Sequence, residues 1–180
     1  MKTREKIRSI RKYSWYLFKH RTFTMIECFK EGLIWRGLTH DLSKLRPSEF
    51  FPYAYFFYKD KKPKRDRTGY YKPYDTGDMD FELAWLKHCR RNDHHWQWHA
   101  LVLDGGDRNQ VICYPMSDKA WREMICDWRG AARAQKAGSI YDWYEKNKYK
   151  IRLHEETRKE IERELEKRKR GANEENISSS

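Results

Sequence analysis

Near the start of the chain the apolar residues Ile7, Ile10, Tyr13 and Leu17 recur at three- and four-residue steps, the period of a helix with one buried stripe. The spacing predicts a first helix over residues 3–20, with His20 on its apolar side. A second is expected from Thr24 or Met25 to about Leu42, where Ile34, Leu38 and Asp41 share a stripe and His40 lies beside it. Pro47 suits the first turn of a third helix that carries Glu49, Phe50 and an aromatic run to Tyr58, with Pro52 bending or interrupting it. Phe81, Ala84, Trp85 and His88 line one side of a fourth helix over residues 79–91. Ser117 can cap a fifth that ends at Gly138, and Ser139 followed by Asp142 opens a terminal helical region. The fold class expected is all-α, a helical bundle with a long basic loop over residues 59–78 and a charged C-terminal helix. Residues 1–150 are read as the helical domain, 151–170 as the charged helix and 171–180 as a disordered tail. Gly105 and Gly106 mark a turn.

A mean hydropathy of -1.12 with 37% charged residues leans toward disorder, but 16% of the residues are aromatic, including 8 Trp and 12 Tyr. Disordered chains are poor in such side chains, so a packed aromatic interior is expected. With 180 residues there is material for one core. No run approaches the roughly 18 to 20 apolar residues of a membrane span, and the basic start leads into no signal-type stretch, so a cytoplasmic location is expected. Cys28, Cys89, Cys113 and Cys126 form no C-x-x-C pair, which argues against a cysteine zinc site and a disulfide framework and for buried free thiols.

The net charge of +12 is unevenly spread. Residues 1–72 hold 19 Lys and Arg against 7 Asp and Glu, whereas the counts balance in 73–150 and again in 151–180. Such a field favours an anionic partner, unless it is only a solvated basic face. After Lys150 a few apolar residues, Ile151, Leu153, Ile161 and Leu165, stand in a field of Glu and Arg or Lys. That pattern reads as a solvated helix supported by ion pairs four residues apart, or as a helix packed on a partner.

Six of the seven histidines fall between positions 20 and 99, and His88, His94 and His95 lie close together. Histidine is the commonest protein ligand for transition metals, and carboxylates complete such sites. The adjacent pair His40-Asp41 offers a nitrogen and an oxygen ligand. Neighbours on a helix diverge by about 100°, so both reach one cavity only near the seam between them. Structural alternatives exist for each: a satisfied core histidine at His20, a surface pair at His94-His95, a surface acid at Asp127, a helix-end cation at Lys44. Glu123, one turn before Asp127, is placed to orient a ligand histidine from behind. His99 and His154 belong to no motif.

The order His20, His40-Asp41, His88, His94-His95, Asp127 resembles the HD-domain superfamily of metal-dependent phosphohydrolases, whose ligands come from successive helices. The resemblance implies one ion on His20, His40, Asp41 and Asp127, and a second, where present, on His88, His94 or His95 with Asp41 as bridge. The string His40-Asp41-Leu42-Ser43-Lys44 is similar to the H-D-x-G-K element of the HD-GYP branch, in which the lysine contacts substrate phosphate. No G-Y-P follows, and Trp96 stands where that branch has Glu, so a cyclic dinucleotide is not implied. Single-metal nucleotidases of the superfamily carry Glu three residues after HD; here Lys44 stands there, leaving Glu49 as the nearest replacement acid. The strings H-D-L-S-K, A-W-L-K-H, N-D-H-H-W and E-M-I-C-D-W together look similar to a small family of bacterial and phage proteins over roughly residues 15–150, which brings no activity with it.

The function expected is metal-dependent hydrolysis of a nucleotide or other phosphate ester, with one or two divalent ions (Mn, Fe, Co, Ni or Mg). Asp41, Lys44 and Glu49 are the catalytic candidates, and Lys44, Arg46 and Arg91 the contacts to a phosphorylated small molecule. Two alternatives stand beside it. Nucleic acid could be gripped by residues 46–74, where Tyr55, Tyr58, Tyr70, Tyr71 and Tyr74 interleave with Lys61, Lys62, Lys64, Arg65 and Arg67. The metal could instead be structural in a domain that acts through protein partners.

Overall fold

The computed structural model describes residues 1–60, 63, 66–70, 73–104 and 110–178, with side chains to residue 169. Gly105 and Gly106, and Lys61, Lys62, Lys64, Arg65 and Tyr71 of the proposed nucleic-acid stretch, lie outside the described residues. Among those described the fold is all-α: seven α-helices and one two-stranded ribbon.

Helix α1 (Thr3–Lys30) is the spine. The expected break after His20 does not occur, because no Gly or Pro interrupts residues 20–30 and Thr24, Glu27 and Cys28 are buried along the same helix. It stops where Gly32 takes φ +71°. The Gly32 and Leu33 amides then reach back to the carbonyls of Phe29 (3.1 Å) and Cys28 (2.8 Å), closing the helix end, while Leu33 packs with Cys28. Only a short helix, α2 (Ile34–Thr39), follows, and a single 3-10 turn, Leu42–Leu45, leads into α3 (Pro47–Tyr58). Helix α3 continues through Pro52; the missing amide costs one hydrogen bond, but Tyr53, Ala54 and Phe56 beyond it are buried.

Helix α4 (Met79–Arg91) is capped by Asp78, which accepts from the Phe81 amide. A 3-10 turn, Trp96–His99, then enters an antiparallel ribbon, β1 (Ala100–Val102) and β2 (Val111–Cys113), in which Leu101 faces Ile112. Ser117 caps α5 (Asp118–Gln135), and Ser139 caps α6 (Ile140–Asn147) through the Tyr141 amide. Helix α7 (Glu155–Ser178) is the last of the described elements. It passes Gly171 although the sequence places a disordered tail there: one helical glycine costs about 1 kcal/mol relative to alanine, and the residues around it, Arg170, Ala172, Glu174 and Glu175, are better helix formers.

Two large apolar clusters form the core, one of them built on α1. There Tyr13 and Leu17 pack with Tyr53, Ala54 and Phe56 of α3 and Phe81 and Ala84 of α4. The other cluster joins Met124 and Ile125 of α5 to Tyr144 of α6 and to Ile161 and Leu165 of α7. The terminal helix is therefore not a solvated rod. Thr157, Ile161 and Leu165, four residues apart, form a buried seam, and the Thr157 hydroxyl accepts from the Met116 amide at 2.9 Å. Cys28, Cys89 and Cys126 are buried free thiols, and Cys113 is half-buried. No described helix is long and apolar enough to cross a membrane.

Candidate metal centre

Where α1 and α5 lie together, backbone approaches backbone. Gly130 makes this contact: a Cβ there would meet the Thr24 amide nitrogen at 2.7 Å and Cα at 2.8 Å. One turn back along each helix, His20 of α1 and Asp127 of α5 face one another, Nε2 to Oδ1, at 3.1 Å.

The pair His40-Asp41 does not sit on a helix at all, which corrects the expected helix to Leu42. α2 ends at Thr39, His40 is extended, and Asp41 adopts the left-handed conformation with φ 55° and ψ 23°. A non-glycine residue there carries roughly 1 kcal/mol of strain. This backbone, rather than a helical seam, turns both side chains into one buried space: His40 is 2% exposed and Asp41 1%.

The two oxygens of Asp41 face two sets of imidazoles. Oδ2 lies 3.1 Å from His20 Nε2 and 3.4 Å from His40 Nε2, and the latter is 3.3 Å from Asp127 Oδ1. Oδ1 lies 3.3 Å from His88 Nε2 and 3.6 Å from His94 Nε2. His95 Nε2 is 2.8 Å from His88 Nε2. His20, His40, Asp41 and Asp127 thus form one group whose ligand atoms all lie within 4.8 Å of one another, and Asp41, His88, His94 and His95 form another. Donors around a common ion at about 2.0–2.2 Å stand roughly 3 Å apart, so these spacings suit a divalent metal. The buried atoms point the same way. His40 Nε2, His94 Nε2 and Asp41 Oδ1 have no hydrogen-bond partner among the described residues, a costly arrangement that a cation would relieve. These buried His and Asp groups could hold a metal ion.

Without an ion, protons and Lys44 balance the charge. Burial pulls the His40 imidazole down, but Asp41, Asp127 and Glu123 raise its pKa well above the usual value. Burial likewise disfavours the Asp41 carboxylate, yet His40, Lys44 and His88 hold it well below the carboxylate range. Asp127 is lowered by His20 and His40 against its burial. Lys44 Nζ is 2.5 Å from Asp41 Oδ2; burial opposes its charge and Asp41 outweighs burial, so its pKa is raised. His88 is pushed down to about 4 by burial and Lys44, and His95 is lowered by burial and its histidine neighbours. Both rings are therefore neutral at neutral pH, as ligands must be.

Glu49 stands behind the site rather than in it. Fully buried, its Oε2 accepts from the Ser43 hydroxyl at 2.8 Å and lies 3.1 Å from His88 Nδ1, while Oε1 pairs with Arg91. Its oxygens are engaged by Ser43, His88 and Arg91, which places Glu49 behind His88 and pairs the Arg91 guanidinium with it. Arg46 is exposed and does not line the cavity over the ligands. That cavity, about 700 Å³, has His20, Lys44, His95 and Asp127 on its floor. Its walls carry Lys12, Tyr16 and Lys19 of α1, Tyr58 of α3 and Trp85 of α4. Lys12, Tyr16 and Lys19 recur at helical spacing with His20, although they belong to no motif. Tyr70, one of the tyrosines of the proposed nucleic-acid stretch, stacks on Trp143 with ring centres 6.4 Å apart.

Residues 9–167 match a family described as a family of unknown function, DUF5662. The chain belongs to DUF5662. The matched span takes in every candidate ligand from His20 to Asp127, together with Lys12 and the buried seam of α7. No curated protein and no solved structure matches the chain.

Proposed function

We propose that this DUF5662 chain is a metal-dependent phosphohydrolase that cleaves a nucleotide or another phosphate ester, in the manner implied by its resemblance to the HD-domain superfamily. The observation that carries the reading is the pair of buried His/Asp groups sharing Asp41, with unpartnered donor atoms, at the floor of a lysine-bearing cavity. Bound there, divalent ions would supply Lewis-acid polarisation of the phosphoryl group and activation of water. His20, His40, Asp41 and Asp127 would hold one ion, and Asp41 with His88, His94 and His95 the other.

The remaining steps fall to the chain's own residues. Lys44 stays protonated and offers charge to phosphate oxygens beside the ligands, and Lys19 and Lys12 extend that charge along α1 toward the mouth. Tyr16, Tyr58 and Trp85 provide flat apolar walls on which an aromatic base can stack, which favours a nucleotide over a bare sugar phosphate. The buried ligands and the aromatic walls limit water around the reacting phosphorus, strengthening each electrostatic contact.

The test is direct. Purified protein, reconstituted with Mn, Fe, Co, Ni or Mg, is screened for phosphate release from nucleotides and simple phosphomonoesters. Metal retained on the wild-type protein and turnover lost in Asp41→Asn support the proposal. An elemental assay that finds no metal after reconstitution rejects it.

A further inference from the structure

Behind the two groups of ligands lies one carboxylate that touches both. Glu123 Oε1 is 2.9 Å from Nδ1 of His40 and 3.2 Å from Nδ1 of His94, and all three side chains are buried. A carboxylate can only accept, so both Nδ1 atoms carry the proton. The other ring nitrogen of each histidine, Nε2, faces Asp41, where it would offer its lone pair to a bound ion, and these are two of the unpartnered buried atoms. Burial works against the Glu123 charge, but His40 and His94 hold its pKa down to about 2. Arg36 secures the far side: Nη1 donates to Glu123 Oε2 at 2.8 Å, and Nη2 donates to Asp93 Oδ2 at 2.8 Å. Asp93 adjoins His94 in sequence. The helix before His40, the segment before His94 and α5 therefore meet at a single guanidinium.

We infer that Glu123 is a positioning residue that sets both metal subsites together, by fixing the tautomer and orientation of one histidine from each, with Arg36 locking its carboxylate. The inference rests on the reading that both groups hold metal. It distinguishes Glu123 from Glu49, which among the described candidate ligands is bonded to His88 and so serves one subsite. It also opposes a different use of the same atoms, since His40, His94 and Glu123 are themselves close enough to hold an ion. Against that use, the Glu123 oxygens already face two N–H groups and an arginine.

Cobalt(II) is the probe, because its visible absorption reports ligand geometry independently of activity. Wild-type protein, Glu123→Ala, Glu123→Gln, Arg36→Met and Glu49→Gln are titrated with Co(II), and bound metal is counted by elemental analysis, with circular dichroism recorded for each. Losing the partner of a ligand histidine weakens metal binding about 10- to 100-fold. The expectation is that Glu123→Ala weakens both binding steps by that factor and alters both sets of absorption bands. Glu123→Gln, which keeps an acceptor oxygen, falls between it and wild type. Glu49→Gln weakens one step and leaves the other at the wild-type value. If Glu123→Ala fails to fold, Arg36→Met still decides, since a loosened carboxylate must weaken both steps. Weakening of only one step by the Glu123 or Arg36 variants overturns the inference while leaving the metal centre intact. A third ion in wild type that disappears in Glu123→Ala overturns it in favour of a Glu123 ligand. Uptake of one ion or none by wild type removes the paired subsites themselves.

Discussion

Replacing Gly130 with alanine separates two lines of reasoning that predict opposite signs. By helix propensity alone the change stabilises α5 by about 1 kcal/mol. In the structure the new methyl would stand 2.0 Å from Thr24 Oγ1, 2.7 Å from the Thr24 amide nitrogen and 2.8 Å from its Cα. A threonine hydroxyl can rotate away, but backbone cannot, so α1 and α5 must part by roughly 0.7 Å to restore ordinary contact. Overpacking of this kind costs about 1–3 kcal/mol, and a clash with backbone belongs at the upper end, leaving a net loss near 2 kcal/mol. For a chain of this size that is a fall in Tm of about 4–8 °C. The loss should be accompanied by weaker metal uptake, because His20 and Asp127 lie one turn from the clash and their 3.1 Å approach depends on it. Thermal melts in chelator and in metal, on wild type and Gly130→Ala, measure both effects. Adding Thr24→Ala should restore little, since the amide nitrogen and Cα remain. A Gly130→Ala protein as stable as wild type, or more so, would refute the argument.

Other outcomes follow from the same geometry. In the metal-free protein His40 contributes stability that is present below its unfolded value of about 6.5 and is lost as pH rises through its raised folded value. His88, lowered to about 4, is neutral in both states above 6.5, so Tm in chelator should fall as pH rises above 6.5, whereas the metal-loaded protein should not show that fall. Ile161→Ala should cost about 2–4 kcal/mol by urea titration, since the side chain is fully buried; a value near zero would mean that α7 is not part of the core. Lys12→Ala and Lys19→Ala should raise KM for a phosphate ester severalfold with a smaller effect on kcat, and an unchanged KM would place the substrate elsewhere.

Much of this protein could be read from residue types and their spacing. Periodicity is a local property, so the third, fourth and fifth helices, the caps Ser117 and Ser139, and the all-α class were legible along the chain. Histidine and aspartate have few roles in a buried setting, so the order from His20 to Asp127 pointed to a metal. What the tertiary structure decided depends on contacts between distant segments. The left-handed backbone at Asp41, in place of a helix, is what sends His40 and Asp41 into one cavity. Glu49 looked like a catalytic acid from its distance along the chain, yet Ser43, His88 and Arg91 surround it and place it behind His88. Arg36, Lys12 and Lys19 belong to no motif and acquire their places only when α1, α2 and α5 meet. The charged terminal helix looked solvated because three side chains, four residues apart, are a faint signal in sequence; the space that α5 and α6 leave for Ile161 and Leu165 decides that they are core.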